Sequence, residues 1–221
     1  MKAIWAIVFK DIVVEWRKKE AVSSTFMFGV LTQVIFSFAF NPTGTDRSLI
    51  SPGILWVSYT FAGIIGLNRS LAMELDNDGL QSLLLAPVSR GGLYFGKVAS
   101  NFAFMMIAEL LLLPVFVVLN NLPLNFQLVQ LVGVSILGTL GFVAVGTILS
   151  MISAHTRMKE VILAVLQIPL TFPVIMSAVG ATSQILANDT ERIGVSLSML
   201  AGFSIVYLTA SYMLFEYVVE E

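Results

Sequence analysis

The sequence predicts an all-α polytopic membrane protein. It has six transmembrane helices, an amphipathic interfacial helix before the first, and both termini in the cytoplasm. Three observations carry that prediction. Of 221 residues, 57% are apolar and 12% charged, against roughly 45–50% and about 25% in soluble domains. With a mean hydropathy of +0.90, a water-soluble globule could not bury the excess. Six windows are long and apolar enough to cross a hydrocarbon layer of about 30 Å. Once the chain is threaded through them, all but Arg47 and Arg192 of the twelve Lys and Arg residues fall on one side, the pattern of a cytoplasmic face. The same composition excludes a disordered chain, collagen, a coiled coil and a basic nucleic-acid-binding domain. With no Cys and one His, it also excludes disulfides, thiolate metal sites, a Cys nucleophile and a multi-His zinc site within one chain.

Residues 1–221 read as one transmembrane domain. In residues 1–20, Trp5, Phe9, Ile12 and Trp16 fall on one helical stripe, and Asp11, Glu15 and Lys18 on another face. This predicts a helix lying in the cytoplasmic interface with its indole rings at headgroup depth. A plain extension of the first span is the alternative. Ala3–Phe9 is too short an apolar run for a cleavable signal peptide.

The first span is Val22–Phe40, interrupted by Gln33 and a few hydroxyls. The second, about Leu49–Leu67, is short and punctuated by Pro52 and glycines. The third, Val98–Leu119, is uncharged except for Glu109. In the fourth, Leu128–Ala154, the spacing of Ser135, Gly138, Gly141 and Ala144 predicts close helix–helix contact. The fifth, Val161–Gly180, carries Pro169 and Pro173 on one face and should kink or break there. Residues 177–192 read as short helices at the outer face before the sixth span, Ile193–Phe215.

The longest connection, residues 68–97, is cytoplasmic. Asp78 followed by Gln81 resembles a capping box, Leu80, Leu83 and Leu84 give an apolar face, Pro87 stops the helix, and Gly91-Gly92 allow a turn. Two readings of this short helix stand level: a docking element for a cytoplasmic protein, or a helix packed back on its own bundle or the lipid surface. Gly91, Gly96 and Lys97 match the first part of a phosphate-loop pattern, but Val98 replaces the required hydroxyl and no strand precedes it. The chain is therefore not expected to hydrolyse ATP itself.

Glu109 lies mid-span, where a carboxylate costs a few kcal/mol. It reads either as a proton-coupling or substrate group, or as a buried polar bond that fixes packing. His155 stands beside Arg157 and Lys159 in a short cytoplasmic connection and reads as a solvated or partner-facing residue rather than a metal ligand. No paired-carboxylate site, Ser/His/Asp arrangement or metal cluster is visible.

The run LWVSYTFAGIIGLNRSLAMELDNDGLQSLLLAPVSRGGLYFGK, Leu55–Lys97, resembles the CcmB family of membrane subunits of the ABC-type haem exporter in cytochrome c maturation. The features are Trp56, Phe61-Ala62-Gly63, Asn68-Arg69, Glu74, the Leu83–Pro87 stretch and Gly96-Lys97. The opening FKDIVVEWRKKE and the run QIPLTFPVIM, Gln167–Met176, also fit.

The resemblance implies a type II ABC exporter-like permease in the bacterial inner membrane without a nucleotide-binding domain of its own. Its partners would be a CcmA-type ATPase, a CcmC-type haem-handling protein, a small CcmD-type subunit and a CcmE-type haem chaperone, besides membrane lipid and a possible second copy of itself. Haem would be cargo of the complex rather than a bound cofactor, and ATP would sit in the partner subunit. Residues Glu74 to Pro87 would couple to the ATPase, with Glu74, Asp78, Leu80, Leu83, Leu84 and Pro87 as contacts and His155, Arg157 and Lys159 as a second handle. The competing readings are an ATP-independent transporter and a membrane scaffold in which Glu109 is structural.

Overall fold

The computed structural model describes residue 5 and residues 7–13, 20–40, 47–76, 89–123, 125–153, 159–189 and 191–218. Six long helices follow a helical stretch at 7–13: α1 Glu20–Phe40, α2 Arg47–Asp76, α3 Arg90–Leu119, α4 Phe126–Ser153, α5 Lys159–Leu186 and α6 Ile193–Val218. Each contains a segment long and apolar enough to span a bilayer. The chain is a multi-pass membrane protein.

Burial sorts the helices. In α2, 67% of the spanning window is buried, against 11% in α6. The central pair is α2 and α4. The first helix lies on α2 and α3, α5 bridges α2 and α4, and α6 rests on α4 and α5. Large apolar side chains such as Phe38, Leu49, Val118, Phe126 and Ile205 point outward, as a bilayer-facing surface requires.

The small residues of α4 mark its closest approaches, as the spacing predicts. A Cβ on Gly138 would run into the indole of Trp56 on α2. One on Gly141 would stand 3.0 Å from Val174 of α5 and 2.8 Å from Ser204 of α6. Only a bare backbone admits both neighbours.

Four elements differ from the sequence reading. The second span is not short: α2 runs for 30 residues, because Arg69 to Asp76 continue the helix beyond the apolar window. Pro52 lies inside it, where its missing N–H strands the carbonyl of Ser48; the hydroxyl of Ser183 on α5 donates to that carbonyl at 2.7 Å.

The third helix begins at Arg90 rather than at the span predicted from Val98, capped by Ser89, whose hydroxyl accepts from the Gly92 amide at 3.2 Å. Gly91 and Gly92 are thus first-turn residues, and Gly91 lets the ring of Tyr212 lie against the backbone, 2.7 Å from where a Cβ would be. The phosphate-loop look-alike is two turns of helix.

The fifth helix continues through Pro169 and Pro173 without a break. It also takes in residues 177–186, so the short outer helices expected over 177–192 are not formed. Ala178, Ala181 and Ile185 are buried along one face, and that packing extends the helix to Leu186, with turns at 187–188 and 191–192 after it.

Of the 68–97 connection, residues 68–76 belong to α2 and 90–97 to α3. The intervening Asp78, Leu80, Leu83, Leu84 and Pro87 lie outside the described residues.

Candidate functional site

Two places in the fold hold the chemistry. The first is the end carrying most of the cationic residues, where α2 ends, α3 begins and the helical stretch 7–13 docks. Ile7 is buried against Gly96, where a Cβ would lie 3.0 Å from its terminal carbon. Trp5 and Phe9 point outward, 73% and 70% exposed. Trp5 and Phe9 are therefore free to meet lipid, while the opposite face meets α3; Glu15, Trp16 and Lys18 lie outside the described residues.

On that opposite face Asp11 accepts from Lys97 Nζ at 2.8 Å and pairs with Lys10 at 3.0 Å. Lys97 is only 1% exposed. A buried ammonium is tolerable only when paired, and Asp11 is its ionic partner. Burial works against the Asp11 charge. The Lys97 ammonium and the hydrogen bonds from Lys97 and Lys10 outweigh it, so the carboxyl sits below its ordinary value of 3.8.

Of the predicted partner contacts, Glu74 lies in the last turns of α2 and Lys159 opens α5. His155 and Arg157 lie outside the described residues, as do 78–87. The ends of α2 and α4 and the starts of α3 and α5 lie at the same end of the bundle, so the connections 77–88 and 154–158, outside the described residues, are both joined to it there. Helices α2 and α3 enclose the first, α4 and α5 the second.

The second place is Glu109 on α3, 3% exposed. Its partners fix its depth: Tyr59 lies midway along the spanning segment Ser48–Ser70, and Thr139 midway along Phe126–Ser153. The Thr139 hydroxyl lies 2.7 Å from both carboxyl oxygens. The Tyr59 phenol donates to the Glu109 backbone carbonyl at 3.2 Å. Beside the carboxyl is a cavity of about 10 Å³ lined by Trp56, Tyr59, Met105, Glu109, Thr139 and Phe142, among others. That is room for about one water. The indole of Trp56 is held by donating to Thr182 Oγ1 at 2.9 Å.

Among the described residues no Lys, Arg or His lines this cavity, and no group of His, Asp and Glu could hold a metal ion. The sequence flagged Glu109 through its anomalous charge. It gave no sign of Thr139, Tyr59 or the Asp11–Lys97 pair, since each contact joins residues at least 30 positions apart.

Comparison with known proteins places the chain against one group. The family model described as CcmB protein matches residues 2–219. Similar curated proteins include one named heme exporter protein B from Bradyrhizobium diazoefficiens, 28% identical over 211 residues that cover 94% of this chain and 93% of that protein. Proteins of the same name occur in Rhodobacter capsulatus, 25% identical with 90% of each chain covered, and in Pseudomonas aeruginosa, 24% identical with 75% of this chain and 74% of the relative covered.

Proposed function

Because this chain belongs to the CcmB family, we propose that it is the membrane permease subunit of an ABC-type haem-export assembly of the bacterial inner membrane. In this reading it couples a separate CcmA-type ATPase to its membrane helices. The assembly, with CcmC-, CcmD- and CcmE-type partners, exports haem or drives release of the haem-loaded chaperone during c-type cytochrome maturation. The family match over residues 2–219 carries the proposal.

The geometry supports it. Residues 91–97, the only stretch resembling a phosphate loop, are helical, and Lys97 is engaged by Asp11. In this reading the motor belongs to a partner.

The lever is physical. Helices α2 and α3 have 30 residues each, about 45 Å at 1.5 Å per residue, longer than the hydrocarbon is thick. Both project toward the 77–88 connection. A push there from ATPase subunits closing on ATP travels up rigid rods. At the base of α3, the Lys97–Asp11 pair and the Gly91–Tyr212 contact pass the load to the 7–13 helix and to α6. Glu74, Asp78, Leu80, Leu83, Leu84 and Pro87 are the proposed grip, with His155, Arg157 and Lys159 as a second contact.

Complementation of a strain lacking the chromosomal copy tests the proposal. Glu74→Arg or Leu83→Asp should abolish c-type cytochrome production while the protein remains inserted in the membrane. Normal cytochrome levels from both variants would remove these residues from the coupling role.

A further inference from the structure

Along the buried face of α4, hydroxyl residues recur in two groups separated by an apolar layer. Nearer the charged end, Ser153, Ser150 and Thr147 are buried. Asn101 of α3 donates to Thr147 Oγ1 at 3.0 Å, and Ser70 of α2 donates to Asn101 Oδ1 at 3.2 Å.

Across from them on α5 is Gln167, fully buried, with neither amide atom hydrogen-bonded. Its Nε2 would lie 2.7 Å from a Cβ on Gly146, so the amide rests on the α4 backbone one residue from Thr147. An unsatisfied buried amide is costly; such a group marks a place that takes a hydrogen-bonding guest.

Thr139 and Glu109 lie two turns farther along, roughly 12 Å at 1.5 Å per residue. Between the two polar groups stand Met105 and Phe142, packed against Gly63, where a Cβ would be 2.6 Å from the Phe142 ring and 2.8 Å from the Met105 methyl. These two side chains also line the cavity beside Glu109.

At that cavity a single hydroxyl faces two carboxyl oxygens, and a hydroxyl has one hydrogen to give. The second oxygen needs either a proton of its own or a water in the space provided. From the elements around it, the titratable groups facing the cavity are Glu109 of α3 and Tyr59 of α2. Those described on α4 and α5 include none.

We propose that Glu109, with Thr139 and the adjoining one-water cavity, is a proton-binding site at mid-membrane. It is reached from the charged end through the Ser153–Thr147–Asn101–Gln167 group, and Phe142 and Met105 are the plug that closes this route in the present packing. This inference does not depend on the ATPase partner, so the two proposals fail separately.

The test reads access to the carboxyl on the purified full chain in liposomes: a water-soluble carbodiimide is added and the peptide carrying residue 109 is followed by mass spectrometry. In the wild-type protein that peptide should be modified slowly. Phe142→Ala should speed its modification several-fold, more so as pH is lowered, and Glu109→Gln in the Phe142→Ala background should abolish it. Met105→Ala, alone and with Glu109→Gln, repeats the experiment through the other half of the plug, should the Phe142 variant fail to fold. Modification no faster in either plug variant than in wild type, or modification of that peptide that persists with Glu109→Gln, would overturn the proposal.

Discussion

Lys97 and Glu109 are buried on the same helix, about three turns apart, and are solvated in opposite ways. Lys97, near the charged end, faces a full counter-charge in Asp11, itself 20% exposed on its side chain. Glu109, at mid-depth, meets a neutral hydroxyl, a phenol turned to its backbone and a cavity of about one water. Near the interface, a side chain 86 residues away can supply an ion and still reach water. At mid-depth an added cation would have to be desolvated too, so the bundle offers dipoles instead. The charged end is thus held together by an ion pair. The middle is built around one carboxyl that must remain compatible with hydrocarbon.

Substitutions that break this contrast have a predicted order. Asp11→Ala leaves the buried Lys97 ammonium without its carboxylate and should cost about 3 kcal/mol, read as a lowered unfolding midpoint in detergent. The swap Asp11→Lys with Lys97→Asp should recover part of the loss. Gly138→Ala drives a methyl into Trp56 and should cost about 1–3 kcal/mol by the same measurement. Thr139→Val removes the one side-chain hydroxyl on the Glu109 carboxyl and should cost about 1–2 kcal/mol. In the Thr139→Val background, Glu109→Gln should cost less than it does alone.

The smallest effect concerns pH. The Asp11 carboxyl is lowered in the folded protein, so its stabilisation is present above the ordinary value of 3.8 and is lost as pH falls through its folded value. The difference in unfolding midpoint between wild type and Asp11→Asn should be constant near neutral pH and close only in strong acid.

The spans were legible because crossing a bilayer imposes one local demand, a run of about 20 apolar residues, and windows such as Val22–Phe40 and Ile193–Phe215 meet it without help. Helix ends were not. The second helix outruns its apolar window to Asp76 and the third starts before its own at Arg90, because charged residues continue a helix in water or headgroups as readily as they end one. Residues 177–186 read as interfacial because alanines and hydroxyls lower their hydropathy. What makes them helix is tight packing at Ala178 and Ala181, and that depends on neighbours. Glu109 stood out as an anomaly, whereas Thr139 looked like any other threonine in an apolar run. The aromatic stripe of the amino-terminal helix was legible. That Asp11, on its other face, holds a buried lysine was not.

The proposal that the charged end receives a partner's motor is tested most directly by affinity purification of the tagged full chain from membranes containing the ATPase subunit. The account predicts that the ATPase co-purifies with the wild-type protein and is lost from Leu83→Asp, with equal amounts of inserted protein. Undiminished recovery with Leu83→Asp and with Glu74→Arg would contradict it.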